Sequence, residues 1–204
     1  MLQSTLRLCA LFFVIFVSHS GYANQGEAIY QQCVACHGVN AEGNTAMKSP
    51  ALAGQSEAYL LRQLTHFKTG LRGKHPADIY GSQMTALVAN LDDNALKEVS
   101  AYLSSLPSSV SEEQRSGDER KGYAYYQGKC GACHGGQAQG NPAFKAPRLA
   151  GLSSDYIERQ MQYFREGIRG TDKTDKPGRQ MAAMSRTVSD EQLHDILLFI
   201  SQQD

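Results

Sequence analysis

Two five-residue runs concentrate the chemistry of this chain: Cys33-Val34-Ala35-Cys36-His37 and Cys130-Gly131-Ala132-Cys133-His134. Two thiols three positions apart, with an imidazole beside the second, form the attachment pattern for c-type haem. The thiols add to the vinyl groups, and the imidazole reaches the iron from the same face. Rival chemistries fit less well. A structural zinc site wants its two cysteine pairs about 15–20 residues apart, whereas 93 residues lie between Cys36 and Cys130. A thioredoxin-like motif wants a βαβ setting, and strand alternation is missing. Two disulfides would suit an oxidising compartment but leave His37 and His134 unexplained. The expectation is two covalently bound haem c groups, anchored by Cys33, Cys36, Cys130 and Cys133 and ligated by His37 and His134.

The motifs are 97 residues apart, and at that offset Cys33–Leu106 aligns with the second half without a gap, with 30 identities in 74 positions. So regular a match identifies one module written twice. The duplication also tests the other iron ligands, for which Met, His or an open position are the usual choices. Met47 faces Phe144, Met161 faces Leu64 and Met184 faces Leu87, the exchanges that core-filling methionines tolerate. His66 faces Tyr163, His75 faces Asp172 and His194 faces Lys97. Only Met84 and Met181 face each other, so they are the expected axial ligands, with Met184 the competitor one turn from Met181. His/Met coordination closes both iron shells, leaving no place for substrate. That points to one-electron transfer rather than enzymatic turnover.

The same comparison picks out supporting residues. A ligating histidine usually donates its other N–H to a carbonyl or carboxylate, and Pro50 and Pro147, each 13 residues after the histidine, could supply the carbonyl; a plain turn proline is the alternative. Arg72/Arg169, with Lys48/Lys145 and Arg62/Arg159, could bind haem propionates or be solvated cations. Tyr59/Tyr156 and Phe67/Phe164 are haem-packing aromatics or plain core.

The elements that position these groups read as helices. Leu96, Val99, Leu103 and Leu106 form an apolar stripe behind Asp92, and Leu193, Ile196, Leu197 and Ile200 form another behind Ser189, whose spacing to Gln192 resembles a capping box. Tyr59, Gln63 and Phe67 share a face, as do Tyr156, Gln160 and Phe164. Short helices are expected from about Gly26 and Gly122 into each cysteine motif, and the intervening segments read as glycine-, proline- and lysine-bearing loops. The fold class is all-α, two tandem domains of three or more helices each. Cores so small need a staple or a large apolar group to fill them.

Around the duplication, residues 1–23 resemble a secretory signal peptide, with Arg7, an apolar run Leu8–Val17 and cleavage after Ala23; retention as an anchor is the alternative. Cys9 would leave with it. The expected organisation is 24–106, a linker 107–117 rich in serine and charge, and 118–204. The full chain has 20 basic and 20 acidic side chains, a balance that argues against a nucleic-acid partner.

The segments Cys33–Gly38, Pro50-Ala51-Leu52-Ala53-Gly54-Gln55 and Tyr59–Leu64 resemble the class I cytochrome c fold. With their repeats in the second half, the mature chain is similar to the dihaem cytochrome c4 family. In that family the ligand methionine lies seven residues before the apolar residue opening the last helix, which again selects Met84 and Met181. Leu152 departs from the glutamine present at Gln55. The resemblance implies haem domains facing each other with propionates near the interface. It also implies a periplasmic carrier, soluble or at the membrane periphery and monomeric, taking electrons from a quinol-oxidising donor to terminal oxidases or reductases. The residues alone leave open a second role, as the cytochrome subunit of a larger dehydrogenase or reductase.

Overall fold

The computed structural model describes residues 20–108 and 113–203, with side chains from Gln25 onward. The apolar run, Cys9 and the middle of the linker lie outside the described residues. No described helix is long and apolar enough to cross a membrane.

The first half contains α1 (Ser20–Tyr30), α2 (Val34–His37), α3 (Glu57–Thr69), α4 (Ile79–Val88) and α5 (Asp93–Ser105). The second contains α6 (Glu119–Tyr126), α7 (Ala132–His134), α8 (Ser154–Arg165), α9 (Lys176–Ser185) and α10 (Asp190–Ser201), with a π-helical turn at Gln127–Gly131 and a 3₁₀ turn at Pro142–Phe144. Among the described residues the only extended pairing is two isolated bridges, Asn44 with Ser49 and Asn141 with Ala146.

The helix starts repeat with the duplication. Ser56 and Ser153 cap α3 and α8, Asp78 and Asp175 cap α4 and α9, and Asp92 and Ser189 cap α5 and α10. Each side-chain oxygen accepts a backbone N–H that would otherwise lack a partner, which contributes about 1 kcal/mol. Ser189 and Gln192 complete a reciprocal capping box.

Two expectations need correction. The segments holding Met84 and Met181 are helices, not loops. Their buried faces consist of Gly81 and Val88 in α4, and Gly178, Ala182 and Ser185 in α9. A face of small residues has no apolar period to read. The first helix of each half also starts earlier than Gly26 and Gly122. Those glycines mark a crossing instead: a Cβ on Gly26 would strike the Glu98 carbonyl of α5, and one on Gly122 the Asp195 carbonyl of α10. Close approach there requires glycine.

The second half builds one continuous core in which Ile196, Leu197 and Ile200 of α10 pack with Tyr126, Ile157 and Met161. The first half divides its core in two. Tyr30, Leu60, Val99 and Leu103 pack near the cysteine motif, and Phe67, Val88 and Leu96 pack near Met84.

Candidate haem sites

Each Cys-x-x-Cys-His run ends in a one-turn helix that delivers its histidine to the interior. His37 and His134 are 5% and 6% exposed. In each half, the loop after the histidine returns beneath it. Gly43 N donates to His37 O at 2.7 Å, and Gly140 N to His134 O at 2.7 Å. Ala41 and Ala138 sit at φ 58° and 59°, and each carbonyl accepts two backbone N–H groups from the returning strand of loop. That return places Pro50 O 2.9 Å from His37 Nδ1 and Pro147 O 2.9 Å from His134 Nδ1. A carbonyl only accepts, so Nδ1 carries the proton and Nε2 keeps the lone pair, which is the tautomer a metal-binding imidazole needs. Burial holds both histidines below their ordinary pKa, against the opposing proline hydrogen bonds, so both are neutral near pH 7.

Burial also pushes the Cys33 thiol up to about 11, helped by Cys36. Cys130 is pushed up to about 11 mainly by burial. Among the described residues, Cys33, Cys36, Cys130 and Cys133 are all free of disulfides.

Met84 is half-buried in α4 against the Phe67–Val88–Leu96 cluster. Met181 is half-buried in α9 against the large second-half core. Met184 and Met47 point outward, 39% and 48% exposed, and Met161 is core. In the first half, a cleft enclosing about 990 Å³, its open mouth included, runs from Cys36 and His37 past Pro50 and Phe67 to Met84.

The mouth of that cleft reaches the second half, because Leu152, Tyr156, Arg159 and Gln160 also line it. The two halves meet through reciprocal bonds. Arg62 donates to Lys145 O at 2.8 Å, and Arg159 to Lys48 O at 2.7 Å. Deeper, Arg72 donates to Gln63 Oε1 at 2.9 Å and Gln160 Oε1 at 3.0 Å. Arg169 answers with Gln160 Oε1 at 2.6 Å and Gln63 Oε1 at 2.7 Å. Two guanidiniums and two amides thus close a ring across the interface, and Arg72 also reaches Tyr156 Oη at 3.1 Å. Arg72 is 9% exposed, so the solvated-cation alternative does not hold for it. The symmetry fails at Gln55, which bonds Arg148 O at 2.7 Å and Arg148 N at 3.2 Å; its counterpart Leu152 is buried and apolar.

The residues present fit haem. Each half offers a neutral imidazole lone pair, two thiols on the same short segment and a thioether on a neighbouring helix. The apolar cleft suits a macrocycle. Buried Nε atoms of Arg62, Arg72, Arg148 and Arg159 lack hydrogen-bond partners among the described residues, and a carboxylate such as a propionate is the acceptor such donors want.

Sequence comparison missed one matched pair. Tyr30 and Tyr126, both 0% exposed, donate their hydroxyls to Gly38 O at 2.6 Å and Gly135 O at 2.7 Å, closing the turn after each histidine. They are 96 residues apart, not 97. The extra residue between Tyr126 and Cys130 is absorbed in the π-helical turn Gln127–Gly131, the usual way a helix takes a single insertion. A one-residue gap upstream of the motif would have paired them.

The family model described as Cytochrome c matches residues 23–107 and again 119–204. The chain is 34% identical over 174 residues to cytochrome c4 of Azotobacter vinelandii, covering 79% of this chain and 80% of that one. It is 30% identical over 190 residues to a thiosulfate dehydrogenase electron acceptor of Stutzerimonas stutzeri, covering 84% of each. Its fold resembles the crystal structure of reduced cytochrome c4 from Pseudomonas stutzeri, with a TM-score of 0.74 and 30% identity, covering 89% of this chain and 98% of that one. Duplicated histidine sites, an interface lined by arginines and these likenesses converge: the chain belongs to the cytochrome c family, as a dihaem electron carrier of the c4 type with covalently attached haem c.

Proposed function

We propose that the protein is a periplasmic one-electron carrier without turnover of its own, moving electrons from a quinol-oxidising donor complex to terminal oxidases or reductases. Cys33/Cys36 and Cys130/Cys133 are its thioether anchors, and His37/Met84 and His134/Met181 its axial ligands. The observation that supports this most is the matched His–Pro hydrogen bond in both halves, together with the shared cleft lined by His37 and Met84 in the first half. Bound haem c supplies reversible one-electron iron chemistry, at a potential that methionine ligation raises. The chain does the rest. Pro50 and Pro147 hold the imidazole tautomer and orientation. The apolar walls exclude water, and Arg72 and Arg169 place buried positive charge between the sites. Export through residues 1–23 delivers the chain to the compartment where thioether attachment occurs.

A haemochrome assay with oxidised and reduced spectra tests this reading. It expects two haems per chain, a methionine–iron charge-transfer band from each, and no binding of carbon monoxide to the reduced protein. One haem per chain, or carbon monoxide binding, would overturn it.

A second reading has one specific support. The relative described as a thiosulfate dehydrogenase electron acceptor favours service to a dedicated periplasmic dehydrogenase over a general respiratory pool. Co-purification of a catalytic partner, or its direct reduction of the purified protein, separates the two.

A further inference from the structure

The exposed arcs of α4 and α9 are the same surface built twice. From α9, Lys176, Arg179, Gln180, Ala183 and Met184 are exposed, followed by Arg186 at its end. On α4 the corresponding residues are Ile79, Ser82, Gln83, Ala86, Leu87 and Ala89, also exposed. At 100° per residue, positions 176, 179, 183 and 186 fall on one stripe. Gln and Ala are unchanged between the halves. Ile79, Ser82 and Ala89 are replaced by Lys176, Arg179 and Arg186, and Lys173 stands before the helix where the first half has Pro76. The fold does not require these cations, because α4 forms the same helix without them. None of the four is in an ion pair among the described residues, so their charge is unspent within the chain.

Resting on the electron-carrier reading above, we infer that the α9 face is a docking surface for a redox protein presenting a carboxylate-rich patch. The α4 face, with Ile79 63% and Leu87 43% exposed, lacks the charge for that partner. Charge complementarity at such a face accelerates encounter and orients the partner. An anionic membrane is the weaker occupant. An interfacial helix needs an apolar face of Trp, Phe or Leu to sink among the lipids, and the face α9 buries in the protein consists of Gly178, Ala182 and Ser185. On the same helix as Met181, the cations bring the partner to the second site rather than the first. One electron passes from donor to haem, with no bond or proton changed.

The test uses the full holoprotein and a variant carrying K176I, R179S and R186A, which grafts the first-half stripe onto α9. Reduced flavodoxin serves as the acidic one-electron protein donor and hexaammineruthenium(II) as a small cationic one. The expected result is about a tenfold lower second-order rate with flavodoxin at low salt, a flattened salt dependence, and no slowing with the ruthenium complex. The reverse graft, I79K with S82R and A89R, raises the flavodoxin rate several-fold. Equal rates and equal salt slopes for native and grafted proteins would overturn the proposal. So would loss of binding to phosphatidylglycerol vesicles with the flavodoxin rate intact. If ruthenium fails to reduce the native protein, the carrier reading itself has failed instead.

Discussion

The last helices of the two halves, α5 and α10, occupy equivalent places and are built differently. Ser100 is fully buried in α5 and donates back to its own helix at Leu96 O, 2.7 Å away; at the same place in α10 stands Leu197, 1% exposed. Val99 corresponds to Ile196, so the second half gains volume at two successive positions, while Leu103 and Ile200 are isomers of equal size; its core joins into one cluster. Conserving the His–Pro geometry therefore did not require conserving the core. The His–Pro distances are 2.9 Å in both halves while the packing behind them diverged.

Exchanging matched residues breaks or sharpens that contrast. The largest effect is expected at the iron. Met181→Ala should abolish the charge-transfer band of the second haem only, and Met84→Ala that of the first, whereas Met184→Ala leaves both. Near-infrared absorption of the oxidised protein reads this, and loss of the band in the Met184 variant would move the ligand. Next comes Leu197→Ser, which gives the second half the first half's residue. It should destabilise that half by about 3–5 kcal/mol, the cost of a large-to-small core change with a hydroxyl left to satisfy. Calorimetry should show the two halves unfolding closer together.

A smaller effect is expected at the asymmetric point of the interface. Gln55→Leu copies Leu152 and removes both bonds to Arg148. Leaving buried backbone groups unpaired costs about 1–3 kcal/mol, seen as a lower unfolding midpoint. The smallest concerns His66, whose Nδ1 lies 3.8 Å from the Asp175 carboxylate across the interface; its counterpart is Tyr163. Burial holds His66 below its ordinary pKa, Asp175 opposes this, and Arg62, Arg169 and Arg72 reinforce it. The folded protein then binds fewer protons than the unfolded chain. The stability contributed is complete above the unfolded value near 6.5 and is lost as pH falls through the folded one. His66→Tyr should flatten that acid-side loss in a series of unfolding midpoints against pH.

Much of the site could be read directly from residue spacing. Cysteine and histidine chemistry is local, because thioether attachment and ligation on one face demand neighbours in sequence. Duplication then acts as an internal control that nominates Met84 and Met181 as the proposed ligands. Tyr30 and Tyr126 escaped because one inserted residue shifts the register, and a π-helical turn conceals that shift in three dimensions. The helical state of the methionine segments escaped because small buried residues leave no hydrophobic period.

By itself the sequence determined the helices with apolar stripes and caps, the tandem organisation and the residues able to hold two haem groups. Those follow from interactions within a few positions along the chain, or from comparing the chain with itself. Only the tertiary structure decided how the halves face each other. The ring of Arg72, Arg169, Gln63 and Gln160 joins residues 9 to 106 positions apart. No local pattern records such pairings, because each arginine alone is compatible with solvent and becomes a buried partner only when the other half closes over it.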